Sequence, residues 1–238
     1  VTATANGDPT GEALVVTGTG TDVGKTVATA ALAAVASTHG LRVAVLKPAQ
    51  TGVAPGEAGD ADEVARLVPG VTPVELVRYP DPLAPANAAR RAGAEELPVA
   101  AIVDATRRLR ASHDLVLVEG AGGLLVRLNS AGGTLAEVAS ALASPVLLVC
   151  RAGLGTLNDT ALSAEALAGR GLRCAGVLVG CWPADPGLAE RCNLAELPDI
   201  AGAPLLGTLP EGIGGLGPEE FARVSRTALR LPLPNLVA

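Results

Sequence analysis

The chain has 238 residues with 18 Lys+Arg against 24 Asp+Glu, a formal charge of −6 with both histidines neutral. Hydrophobic residues make up 49% and charged residues 18%, which excludes intrinsic disorder and leaves one large domain, or at most two small ones, able to bury a core unaided. The acidic balance and only three aromatic residues, Tyr79, Trp182 and Phe221, argue against gripping nucleic acid by bulk charge or by base stacking.

Residues 1–12 (VTATANGDPTGE) hold no apolar secretory segment and read as a flexible lead-in to a single domain over 13–238. Leu14–Thr17 predicts a strand and Lys25–His39 a helix stopped by Gly40. Val43–Lys47 predicts a second strand and Asp60–Leu67 a helix. The Pro/Gly-rich stretch Pro80–Gly93 reads as a functional loop. Helix Val99–Arg110, strand Leu115–Glu119, helix Thr134–Leu142 and strand Val146–Cys150 follow. Then come helix Thr156–Ala168, strand Ala175–Val179, helix Leu188–Leu197, strand Leu205–Leu209 and helix Pro218–Leu229.

The strand runs are almost continuously apolar, as strands covered on both faces are. The alternation therefore predicts an α/β fold, a parallel β-sheet flanked by helices on both faces. Glu137, Pro145 and Arg151 interrupt the apolar stretches before the ~20 residues a membrane helix needs, so a soluble, cytoplasmic protein is expected. Cys150, Cys174, Cys181 and Cys192 form no Cys-x-x-Cys pair and read as buried or incidental thiols. His39 and His113 have no metal-like neighbour in sequence and read as solvated.

Ligands of such sheets sit at the carboxyl ends of the strands, so the residues after each strand matter most. After the first strand comes Gly18–Thr26 (GTGTDVGKT). A glycine-rich turn aims backbone N–H groups at phosphate, and the following helix adds its positive end. Lys25 suits the outer phosphates and the Thr26 hydroxyl suits Mg²⁺. Gly18 and Gly24 enclose five residues, one more than the strict phosphate-loop pattern, whose first position falls on Thr19. The second strand runs into Lys47-Pro-Ala-Gln-Thr-Gly52, placing a lysine where a charged intermediate would lie. The third runs into Glu119-Gly-Ala-Gly-Gly123, an acid suited to Mg²⁺ followed by glycines, Gly122 among them, that let a ligand approach the backbone. Asp60 and Asp62 open a predicted helix, and each could be a cap or a ligand. Gly153–Asp159 also opens a helix, to bind an anion or merely to be capped by Thr156.

Together these blocks resemble the dethiobiotin synthetase family, over about Leu14 to Pro210. The extra residue in the phosphate loop is normal there. The resemblance implies a phosphate-loop homodimer that acts on 7,8-diaminononanoate, CO2 and MgATP. An amine captures CO2 as a carbamate, the carbamate attacks the γ-phosphate, and the second amine closes the ureido ring. It implies Lys25, Lys47 and Thr21 as catalytic residues. Nucleotide would be held by Asp22, Val23, Gly24, Lys25, Thr26, Val27, Glu119, Gly122 and Gly180, with Pro210 and Glu211 near the ribose or base. Thr26, Asp60 and Glu119 would ligate Mg²⁺, matching favouring Asp60 over Asp62. Thr21, Lys47 and Thr51 would meet the diamine–carbamate end. Gly155, Thr156, Leu157 and Asn158 would take the substrate carboxylate, in the family across the dimer interface. Gly180 departs from the family, which often has a base-reading Asn at this place, so relaxed base preference is expected. Related amidoligases of corrinoid synthesis normally add a glutaminase domain with a catalytic Cys. Switch ATPases of the ParA type carry an early loop lysine, which Val16–Thr19 lacks.

Overall fold

The computed structural model describes residues 11–230. β1 (Glu12–Gly18), β2 (Val43–Thr51), β3 (Thr72–Tyr79), β4 (Leu115–Gly123), β5 (Val146–Cys150), β6 (Cys174–Trp182) and β7 (Leu205–Pro210) make one sheet. Its order is β3-β2-β4-β1-β5-β6-β7, and every neighbouring pair is parallel. Pleating turns Leu14 and Val16 of β1 to one face and Val15 to the other. The first face packs against α1 (Lys25–Thr38), α2 (Asp60–Leu67) and α8 (Pro218–Ala228). The second packs against α3 (Pro85–Ala92), α4 (Val99–Arg110) and α5 (Leu135–Leu142). α6 (Thr156–Ala168) and α7 (Leu188–Ala201) flank the β5–β6 end. With so few aromatics the core relies on small side chains: α1 buries Ala28, Ala30, Ala31, Ala33, Ala34 and Ala36.

All the expected strands form, and the fold is the expected sandwich. One strand and one α-helix go beyond those expected. β3 contains Pro73, Glu75 and Arg78 and is mostly half-buried, so it lacks the apolar run of a covered strand. It is an edge strand, where a proline and charges are tolerated. α3 lies inside the predicted loop 80–93, with Pro85 in its first turn and Gly93 closing it at φ 60°. Of the expected lead-in, residues 1–10 lie outside the described residues. Gly11 is held to the end of α4, its N–H donating to Arg110 O, and Glu12 opens β1, its N–H donating to Asp114 O. His113 is not merely solvated: its ring meets Leu109 O and the Thr72 hydroxyl.

The candidate active site

The loop between β1 and α1 is shaped by backbone that only certain residues accept. Gly24 takes φ 88° immediately before α1, and Asp22, without being glycine, takes φ 57°. Aspartate tolerates that region better than most side chains. Val23 is buried beneath the loop. The Lys25 ammonium donates to Gly20 O at 2.8 Å, and so lies across the loop's mouth. Burial foremost, and then the charge of Lys47, lower the Lys25 pKa, although Glu119, Asp60 and Asp22 pull the other way.

Lys47 is no surface lysine, being 3% exposed. Its Nζ donates to Glu119 Oε1 at 2.8 Å and to Gly120 O at 3.2 Å, and pairs with Asp60 Oδ2. Burial opposes its charge, but the fields and hydrogen bonds of Glu119 and Asp60 prevail and the pKa is raised. Glu119, 1% exposed, also accepts from the Thr26 hydroxyl at 2.9 Å through Oε1. Its other oxygen, Oε2, is buried and has no hydrogen-bond partner among the described residues. An unpartnered buried carboxylate oxygen is costly, so a cation beside Thr26 suits this donor set.

The structure separates the two aspartates of α2. Asp60 faces Lys47, whereas Asp62 reaches back to accept the Gly59 N–H at 2.9 Å, as a capping residue does. Thr21, Asp22, Gly24, Lys25, Thr26, Val27, Lys47, Thr51, Asp60, Glu119 and Gly122 all line one cavity of about 900 Å³. The stretch 80–93, expected to be a functional loop, supplies an apolar wall through Pro82, Leu83, Ala84 and Pro85, while Val126 and Gln50, which also line the cavity, were not among the expected site residues.

The remaining expected residues lie at the same sheet edge but outside this cavity. Pro210 pairs with Trp182 across β6 and β7, and Glu211 N–H donates to Trp182 O. Gly180 abuts the phosphate loop: a Cβ there would stand 2.1 Å from Val23 O, and a Cβ at Gly24 would stand 2.5 Å from Gly180 O. Gly155, at φ 90°, is the N-cap of α6, so Thr156 does not cap this helix. The Thr156 hydroxyl is fully buried, while the neighbouring Leu154 is 83% exposed.

The comparisons with known proteins bear on the family and the fold. A family model described as an AAA domain matches residues 12–214. An ATP-dependent dethiobiotin synthetase of Saccharopolyspora erythraea is 63% identical over 216 residues, covering 91% of this chain and 94% of that protein. The chain belongs to the dethiobiotin synthetase family. Synthetases of Streptomyces coelicolor and Rhodococcus jostii are 59% and 58% identical, each over at least 90% of both chains. Among solved structures, the septum site-determining protein MinD of Pyrococcus horikoshii, in complex with Mg-ADP, superposes with a TM-score of 0.56 at 17% identity, covering 91% of this chain and 95% of that one. That likeness shows the phosphate-loop fold alone.

Proposed function

We propose that the cavity at the carboxyl edge of the sheet is where this dethiobiotin synthetase converts 7,8-diaminononanoate, CO2 and ATP into dethiobiotin, ADP and phosphate. One observation supports this reading above the rest. A buried lysine, Lys47, sits beside a phosphate loop and is held by two carboxylates in one cavity. A substrate amine captures CO2 as a carbamate, whose oxygen attacks the γ-phosphate to give a carbamic–phosphoric anhydride. The second amine then attacks the carbonyl carbon, closes the ring and releases phosphate. The protein's share of such phosphoryl transfer is positioning and charge stabilisation. Lys25 neutralises the phosphoryl group in flight, Lys47 holds the carbamate and then the anhydride, and Thr21 and Thr51 orient the diamine end. Loop residues Asp22 to Val27, with Gly122, cradle the phosphates, while Gly180, Pro210 and Glu211 border the ribose and base.

Thr26, Asp60 and Glu119 would hold Mg²⁺, and the unpartnered Glu119 Oε2 supports that fit. Among the described residues no group of three or more His, Cys, Asp or Glu forms a cage, which suits a cation that keeps waters and phosphate oxygens as ligands. When bound, Mg²⁺ offsets phosphate charge. The first turn of α6, Gly155 to Asn158, takes the substrate carboxylate, and a homodimer brings that turn to its neighbour's cavity. Two exposed apolar side chains support this: Leu154, just before α6, is 83% exposed and Leu162, within it, 59%. The reading places the enzyme in the cytoplasm. No helix among the described residues is long and apolar enough to cross a membrane.

The test is phosphate release from MgATP and bicarbonate, with and without 7,8-diaminononanoate, with product mass read in parallel. Diamine-dependent phosphate and a product at the mass of dethiobiotin are expected. Diamine-independent turnover would overturn the reading.

A further inference from the structure

Asp60 reaches Lys47 only because the first turn of α2 stands where it does. That turn follows the stretch 52–59, in which residues 54–58 are exposed. Something must hold it, and the register of β2 and β3 supplies the means by pairing Gln50 with Arg78 and Lys47 with Glu75.

Gln50, 4% exposed, accepts the Asp60 N–H through Oε1 at 2.8 Å. This is one of the helix's otherwise orphaned first amides. Arg78 is held as a fork by Glu75, Nε and Nη2 each donating at 2.8 Å. Its Nη1 donates to Ala54 O at 3.1 Å and to Glu57 O, and its Nη2 stands 3.7 Å from Asp62 Oδ2. Arg78 thus ties the stretch to the edge strand at two carbonyls. Gly59 marks how closely these groups converge. Its φ of −96° is open to any residue, yet a Cβ there would lie 2.9 Å from Arg78 Nη2 and 3.0 Å from both Gln50 Oε1 and Glu75 Oε2. The Asp60 side chain, 35% exposed, is tied to Lys47, and where it can reach depends on the placement of the helix that carries it.

We infer that Gln50 and Arg78 are positioning residues of the synthetase, holding the start of α2 so that the Asp60 carboxylate stays on Lys47. The inference rests on the proposed role of Asp60. Neither residue touches Lys47 in the structure's hydrogen-bond network, so each acts through the helix.

The experiment is a double-mutant cycle on the full-length enzyme, Gln50→Met and Arg78→Ala each alone and combined with Asp60→Asn. Amide hydrogen exchange of the nucleotide-free proteins is followed alongside. Each single variant should lower kcat/KM about tenfold or more, the scale typical of groups that orient ligating side chains. In the Asp60→Asn background the same changes should cost almost nothing further, because there is then no carboxylate to position. Exchange should quicken at the amides of 53–60 and stay unchanged in the central strands. A purely structural role would instead add in full to Asp60→Asn, and that outcome overturns the inference. Gln50→Met makes the smaller change and keeps the test decisive if Arg78→Ala does not fold. An impaired Asp60→Asn beside a fully active Gln50→Met would sink the positioning role alone. A fully active Asp60→Asn would sink the reading of Asp60, and the positioning role with it.

Discussion

Just before β2 and β4 begin, Arg42 and Asp114 meet across the two strands at 2.8 Å; just past the last paired residues of the same strands, Leu46 and Val118, Lys47 and Glu119 meet at the same distance. The separation in sequence is 72 residues in both cases. The residue types differ, Arg–Asp against Lys–Glu, and so do the surroundings, with side-chain exposures of 63% and 37% for the first pair and 4% and 1% for the second. An exposed pair is screened by water and contributes little. A buried pair has lost the hydration of both charges and survives only while each satisfies the other. Burial therefore shows where to look for chemistry. Strand pairing brings opposite charges together at either end of a sheet, but only the carboxyl end here adds a phosphate loop and a second carboxylate, Asp60.

Removing the cation at each end puts this contrast at greatest risk. Lys47→Ala leaves Glu119 buried without its counter-ion, and folding stability should fall by about 3–5 kcal/mol in denaturant unfolding. A loss below ~1 kcal/mol would show that the buried pair is no more than its exposed counterpart. Glu119→Gln keeps an acceptor for Thr26 but removes the charge. The Mg²⁺ midpoint of turnover should rise on the order of tenfold, and an unchanged titration would take Glu119 out of the metal site.

Gly180 approaches the buried end from another direction, since it contributes by having no side chain. In the unsubstituted enzyme, replacing ATP by CTP or GTP should cost less than about 100-fold in kcat/KM, or about 2.7 kcal/mol. Gly180→Asn should not restore base reading. Its side chain collides with Val23 O, so affinity for all three nucleotides should weaken together, by roughly tenfold. A Gly180→Asn enzyme that selects ATP at undiminished affinity would contradict this packing.

Arg42→Ala should do least of all and leave turnover intact. Arg42, through its side-chain and backbone hydrogen bonds, lowers the Asp114 pKa from 3.8 to about 2. A depressed carboxyl stabilises the fold above its unfolded pKa, and that contribution fades as pH falls from about 3.8 towards 2. In Arg42→Ala the Asp114 titration, followed by NMR, should move back up. An unmoved titration would mean that Arg42 is not its cause.

Much of this was legible in the sequence, for definable reasons. Doubly covered strands announce themselves as apolar runs, and Gly24-Lys25-Thr26 after such a run identifies the loop. β3 was not legible because an edge strand need not be apolar: its Arg78 and Glu75 serve the stretch 52–59 instead of a core. The residues alone do not tell the roles of Asp60 and Asp62 apart, because two residues of one helical turn differ only in direction, which the helix's placement decides. In sequence Gly180 is only a missing side chain; the close approach of Val23 O, a through-space fact, shows that there is no room for one.

The proposed chemistry turns on the buried Lys47 holding the carbamate while phosphate is transferred to it. The most direct test is single-turnover phosphate release by Lys47→Ala with bicarbonate and the diamine, together with ATP affinity on the same protein. Phosphate release should slow by at least about 100-fold, as when one stabilising donor is lost from an active site, with ATP affinity changed only a few-fold. Near-normal phosphate release would contradict the role of Lys47.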